Sequence, residues 1–217
     1  MSKDFEVRWE GELPGSPQRI WDAITKHGAA WTWDIDYEPR VGGAERGLTS
    51  GGGTVAAWEP PKHFRTEARR DDGWHNALDY TLDGTHLSFV HSTVFDPSEF
   101  AVQSDACIQH TRFYYHSLGE YLRHFAGRTP HYLGLDEVPG STADVLARLG
   151  VPESAGPGDR IAVGTVDYRD GTMIGIRTED ALLRVYGRDL WGWPVGVGVH
   201  AFDGAPDERA WREKVAA

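Results

Sequence analysis

Apolar and polar positions alternate strictly where the chain begins: Phe5, Val7, Trp9, Gly11 and Leu13 interleave with Glu6, Arg8, Glu10 and Glu12. A period of two belongs to a strand with one dry and one wet face. Ser16-Pro17 then opens a helix carrying Ile20, Trp21 and Ile24, which stops near Gly28. Strand patterns resume from Ile35 to Val41, ahead of Gly42-Gly43, and again from Gly53 to Trp58. Further strands are predicted at Phe64-Thr66-Ala68, at Leu78-Tyr80-Leu82, and at Leu87, Phe89, His91, Thr93 and Phe95. Asp83-Gly84 is the hairpin turn between the last two. With no crossover helix between these strands, the economical arrangement is an antiparallel meander.

The period changes after Phe95. Asp96-Pro97-Ser98-Glu99 has the form of a helix start, with an acid as N-cap and a carboxylate three residues on. Cys107, Thr111, Tyr114/Tyr115, Leu118, Leu122 and Phe125 then recur every three or four residues as a buried stripe. Gln109, Arg112, His116, Glu120 and Arg123 fall on the face expected to be solvated, and Gly127 ends the helix. One long helix after an antiparallel sheet suggests a sheet curled around that helix, with a pocket between them.

Beyond Gly127 the texture differs. Thr129-Pro130-His131-Tyr132 reads as a linker, and Ser141 to Asp144 as a capping box leading into Val145, Leu146 and Leu149. Ile161 to Tyr168 and Met173 to Arg177 form a hairpin around Asp170-Gly171. Ala181 to Tyr186 is ambiguous between helix and strand, Val195 to Phe202 reads as strand, and Pro206 to Val215 as a closing helix. Gly164-Thr165-Val166 repeats Gly53-Thr54-Val55, so the extension is either a degenerate half-repeat or an unrelated addition.

Composition narrows the function classes. The formal charge of −11 disfavours phosphate-backbone binding and leaves nucleic acid out of the expected partners. No apolar run is long enough for a membrane helix, and Met1 to Phe5 enter the strand pattern without a signal-peptide core. Cys107 is the single cysteine, which fits a reducing cytoplasm and excludes an internal disulfide. The ten histidines show no His-x-x-x-His spacing, so no metal and no cofactor are expected. Nine tryptophans are more than a core of this size needs, and some are expected to line a cavity.

Several segments resemble a known family. Ser16-Pro17 through Trp21-Ala23 is similar to the helix start of the START-like superfamily, also called SRPBCC or birch-pollen-allergen-like. Glu38-Pro39-Arg40-Val41-Gly42-Gly43, Gly53-Thr54-Val55 with Pro60-Pro61, and Gly84-Thr85-His86-Leu87 through His91-Ser92 resemble segments of one branch of it. That branch is the one named for heat-shock-protein-90 ATPase activator homologues. Leu118, Tyr121 and Leu122 fit its last helix. The resemblance covers Phe5 to Gly127, with Thr93 where the pattern has glycine. It implies an α+β helix-grip domain over 1–127, a curved antiparallel sheet around the long helix; residues 128–217, which have no counterpart in it, are read from their own pattern as a smaller α+β appendage. Members bind hydrophobic small molecules, and some catalyse cyclisation or dehydration.

The candidate site follows from both readings. Trp31, Trp33, Tyr37, Trp58, Tyr80, Phe89, Thr111, Tyr115 and Leu118 are expected to line an apolar pocket, with plain core packing the alternative for each. His91 shares a strand face with Leu87 and Phe89, so its imidazole is expected to be desolvated and its pKa lowered. It is the catalytic candidate if the protein is an enzyme, with Tyr80 or Tyr115 as hydrogen-bond donor; otherwise it is a buried, satisfied histidine. Cys107 is read as packing. Three functions stay open: binding of a hydrophobic or aromatic small molecule, a polyketide cyclase- or dehydratase-like enzyme, and a chaperone-associated interaction module without ligand. A homodimer is compatible with each.

Overall fold

The computed structural model describes residues 2–216. The chain divides into two compact units. The first takes the residues up to Gly28 and Asp34–Ala126; the second takes Ala29–Trp33 and the chain from Gly127 onward.

The first unit begins with β1 (Lys3–Glu12) and α1 (Pro17–Lys26). Pro17 stands at the helix start, and Ser16 Oγ accepts the Arg19 N–H at 3.3 Å, as the N-cap pattern requires. Next come β2 (Asp36–Tyr37), β3 (Ala44–Arg46), β4 (Gly53–Glu59), β5 (His63–Arg69), β6 (His75–Asp83), β7 (His86–Phe95) and α2 (Phe100–His124). The seven strands form one antiparallel sheet in the order β1-β7-β6-β5-β4-β3-β2. The sheet is curved, with a bulge between Val55 and Ala57, and α2 packs on β1 and β7.

Three expectations need correction here. The strand expected from Ile35 to Val41 shrinks to Asp36–Tyr37. Residues 38–43 loop back instead, because Gly43 approaches the Glu38 carbonyl and side chain so closely that a Cβ there would sit 2.7 Å from Glu38 Cβ. The long helix starts at Phe100, and Asp96 organises the turn before it by accepting the Ser98 N–H at 2.8 Å. Finally, Glu120 is buried. Its carboxylate is held by Arg123 at 2.7 Å and His124 at 3.5 Å, and with Phe113, Ser117 and Tyr121 it widens the buried arc of α2 beyond one stripe. Thr111, Tyr115, Leu118 and Leu122 are buried as expected, while Arg112 is exposed.

The second unit contains β8 (Pro130–Val138), α3 (Thr142–Arg148), β9 (Arg160–Ile161), β10 (Gly164–Asp170), β11 (Met173–Arg177), β12 (Ala181–Tyr186), β13 (Val195–Phe202) and α4 (Glu208–Ala216). The presumed linker is therefore the start of a strand. Proline is tolerated as a strand's first residue, and Tyr132 pairs with His200 across the ladder. The Ser141–Asp144 capping box is present in both directions. The ambiguous segment Ala181–Tyr186 is a strand with every residue buried. Sheet order is β8-β13-β12-β11-β10-β9, with a bulge between Val166 and Tyr168. Among the described residues no helix is long and apolar enough to cross a membrane.

Candidate functional site

The helix-facing side of the first sheet carries a row of aromatic rings in mutual contact. Phe64 on β5 lies at its centre, 4.8 Å from Tyr37, 5.4 Å from Trp58 and 5.5 Å from Tyr80 between ring centroids. Tyr80 continues to Phe89 at 4.9 Å, Phe89 to Tyr115 of α2 at 4.8 Å, and Tyr115 stacks on Trp9 at 4.4 Å. Register explains the row, because Phe64 pairs with Tyr80 and Tyr80 with Phe89 across adjacent ladders. Gly11 makes room for Trp9, since a Cβ there would stand 2.9 Å from the indole. The Tyr115 hydroxyl donates to the Tyr80 oxygen, and burial pushes the pKa of both phenols up.

A polar relay runs beside this row. Asn76 Nδ2 donates to Thr49 Oγ1 at 3.1 Å, which leaves Asn76 Oδ1 as the acceptor for His91 Nε2 at 2.7 Å. His91 is thereby assigned the Nε2–H tautomer, and its Nδ1 lone pair faces Cys107 Sγ at 3.4 Å. The thiol donates to that nitrogen, and the Thr111 hydroxyl supports the sulfur from one helical turn away. Farther along, Glu45 Oε1 accepts the N–H groups of Leu48 and Thr49, fixing the loop that presents Thr49. Glu45 is only 2 % exposed, and its other oxygen has no hydrogen-bond partner among the described residues.

Desolvation sets the resting charges. Burial lowers the His91 pKa to about 4 and raises that of Cys107 to about 11, so both are neutral near pH 7. Yet both keep accessible surface, whereas Leu87, Phe89 and Thr93 on the same strand face are closed off.

The structure brings Tyr37, Trp58, Tyr80, Phe89 and Tyr115 together, adds His91 through the relay, and places Thr111 on Cys107. Leu118 is a fully buried core residue. Trp31 and Trp33 belong to the segment that groups with the second unit, apart from the other candidates. Sequence reasoning missed Phe64, Trp9, Asn76, Thr49 and Glu45 as neighbours of these residues. Asn76 carried one usable signal: it is the polar residue two positions before Leu78, on the same face of a strand expected to pair with His91's strand.

Open recesses lie elsewhere. One, of about 440 Å³, is lined by Glu45, Gly51–Gly53 and Glu67–Arg69; another, of about 560 Å³ in the second unit, is lined by Thr142, Leu146, Val151, Arg169, Ile174 and Asp189. Among the described residues no three His, Cys, Asp or Glu side chains converge as metal ligands would.

No protein-family model matches the chain, and no curated protein matches it. Solved structures do. A Mesorhizobium loti protein, MLL2253, is 24 % identical over 56 % of this chain and 98 % of its own, with a TM-score of 0.46. The Aha1 dimer of Colwellia psychrerythraea is 21 % identical over 54 % and 96 %, with a TM-score of 0.42. DynU16, a protein of the dynemicin biosynthetic locus, is 18 % identical over 98 % of this chain and 94 % of its own, with a TM-score of 0.43. The first unit's own strand order, its helix after the first strand and its long closing helix make it a helix-grip fold.

Proposed function

We propose that the first unit binds a planar, largely hydrophobic small molecule against its row of aromatic rings, beside His91 and Cys107. The carrying observation is the pairing of desolvation with accessible surface at these two side chains, next to a row of aromatic rings. An apolar enclosure with few, fixed polar groups is what such a ligand needs. Native mass spectrometry of freshly purified protein, with a calorimetric titration of dihydrochalcone, tests the reading. A retained small molecule or saturable 1:1 binding supports it. Neither one, in a protein that is folded, overturns it in favour of a ligand-free interaction module.

A second reading, turnover of the cyclase or dehydratase kind, is favoured by one feature. His91 is neutral, its tautomer is fixed by Asn76, and its Nδ1 lone pair is directed at the Cys107 thiol. Removing a positioned acid or base typically costs about 10²–10⁴ in rate. Losing one neutral hydrogen bond to a bound ligand costs about 0.5–1.5 kcal/mol. The ratio of these two effects in His91→Gln separates enzyme from binding protein.

A further inference from the structure

The Glu45 carboxylate is held at one oxygen and bare at the other. Oε1 accepts the N–H groups of Leu48 and Thr49 at 2.9 and 3.1 Å. Oε2 is buried, in a side chain 2 % exposed, and has no hydrogen-bond partner among the described residues. An unpaired carboxylate oxygen in the interior is costly, more so than a neutral acceptor. Register brings it to the recess of about 440 Å³, since Glu45 of β3 pairs with Gly53 of β4 and both line that recess. Gly51 and Gly52 have positive φ, at 90° and 83°, which by itself calls for glycine; Gly53 does not. What Gly53 provides is space. A Cβ there would stand 2.6 Å from Glu45 Oε2, 3.1 Å from the Glu67 carbonyl oxygen and 3.5 Å from the Ala68 methyl. Two acceptor oxygens therefore border one gap in the recess wall.

The two arginines of the recess have other partners. Arg46 meets Asp36 at 3.1 Å and Glu38 at 2.9 Å, and Arg69 meets Glu67 at 3.5 Å. Glu45 is thus the carboxylate of this wall without a counter-ion among the described residues. We propose that the recess binds a primary alkylammonium ion, whose N–H groups donate to Glu45 Oε2 and to the Glu67 carbonyl. A primary ammonium carries three donors and the opposite charge, which matches two acceptors converging on one gap. An anion would meet like charge there. A metal ion would want further side-chain ligands, and among the described residues no three converge. Much of the remaining wall is Ala44, Ala68 and three glycines between the arginine stems, which suits a slim, unbranched chain. This ligand differs in charge and shape from the one proposed for the aromatic row.

Calorimetric titration of the full chain with hexylammonium at neutral pH tests the site, with hexyltrimethylammonium as the control. The control has the same charge and chain but no N–H, so it reports the attraction that a net charge of −11 exerts on any cation. Saturable 1:1 binding of hexylammonium is expected, with the trimethylated ion at least about 10-fold weaker. Glu45→Gln keeps an oxygen for Leu48 and Thr49 and replaces the bare oxygen by an N–H donor, so it should weaken binding about 10- to 100-fold. Ala68→Leu leaves Glu45 and its loop untouched and fills the recess, and it should abolish binding even if Glu45→Gln proves not to fold. No saturable binding of hexylammonium overturns the proposal, as does equal affinity for the trimethylated ion. Undiminished affinity in a folded Glu45→Gln or Ala68→Leu variant overturns it too.

Discussion

The second unit fills one side of its sheet with aliphatic side chains: Val166, Ile174, Ile176, Leu183, Val185, Val195, Val197 and Val199, packed with Leu146, Leu149 and Val215. The first unit fills the corresponding place with rings and a polar relay. Yet both sheets are threaded alike. In each, the first strand pairs with the last, and the rest follow in reverse order to the edge. In each, the strand opening Gly-Thr-Val has a bulge just after its valine. On these grounds we propose that the second unit is a shortened repeat of the first, with a closing helix of 9 residues where the first has 25. The difference is instructive. An aliphatic layer gives stability and offers a ligand no hydrogen bond, whereas the first unit keeps His91, Asn76 and two phenols where a stable core would rather have methyl groups.

The second unit's exception lies on the other side of its sheet, and removing part of it should give the largest effect. Arg184 is fully buried and meets Asp167 at 3.0 Å. Gly175, its ladder partner, makes room for the pair, because a Cβ there would stand 2.7 Å from Arg184 Nη1. Asp167→Ala removes the carboxylate that meets this buried guanidinium at 3.0 Å, at a cost of up to about 3–5 kcal/mol. Replacing both, Asp167→Leu with Arg184→Met, should recover most of that loss. Urea unfolding of the three variants checks it. A single variant as stable as the natural chain would break the contrast, since the second unit would then tolerate buried charge.

Acid should affect both units, and one buried histidine in each carries a large share of the effect. His91 and His200 have folded pKa values of about 4 and about 3, against 6.5 for a free imidazole, with burial the largest cause. His200 Nδ1 donates to the Ala29 carbonyl at 2.8 Å, while Nε2 has no hydrogen-bond partner among the described residues. Both values are depressed, so the folded state favours the neutral ring and the unfolded chain binds the additional protons. The stability this represents is complete above pH 6.5 and is lost as pH falls through about 4 and about 3. Each histidine should account for about 3 kcal/mol lost between neutral pH and about pH 4. Unfolding curves of His91→Gln and His200→Gln across that range should show a shallower acid limb than the natural chain. An unchanged limb in His91→Gln would mean that water reaches the imidazole freely and that the first unit does not hold it desolvated.

The fold was more legible in the sequence than the site. Alternation placed β1 and β4 to β7, and the Ser16-Pro17 start placed α1, because each is a local pattern enforced by one buried face. The sequence misled where a tertiary constraint replaced the pattern. Asp96 looks like an N-cap and instead closes a turn four residues early, and Pro130 looks like a break and instead begins an edge strand whose partner lies 72 residues on at Phe202. Glu120 reads as solvated because its burial depends on Arg123 and His124 meeting its carboxylate. The relay was less legible still. Asn76, His91 and Cys107 carry no spacing signature, and their meeting is set by strand register and by the rotation of α2.

The smallest expected effect concerns the two phenols, where the aromatic row itself becomes polar. Tyr115 donates to Tyr80, and both hydroxyls lie in a region that excludes water. A single hydrogen bond of this kind contributes about 0.5–1.5 kcal/mol net, because the unfolded chain makes comparable bonds to water. Tyr115→Phe keeps the ring contacts with Trp9 and Phe89 and removes only the donor, so its cost should fall in that range. Tyr80→Phe and the double variant complete a cycle whose coupling energy reports the bond alone. Thermal and urea unfolding measure the stability side. Dihydrochalcone affinity measures the other, and there the contrast between the units sharpens: if the hydroxyls exist for a ligand, the double variant should unfold almost as the natural chain does and yet bind more weakly. A double variant that loses stability while keeping its affinity would make the phenols structural, and the first unit would then resemble the second in kind, differing only in using rings where the second uses valines.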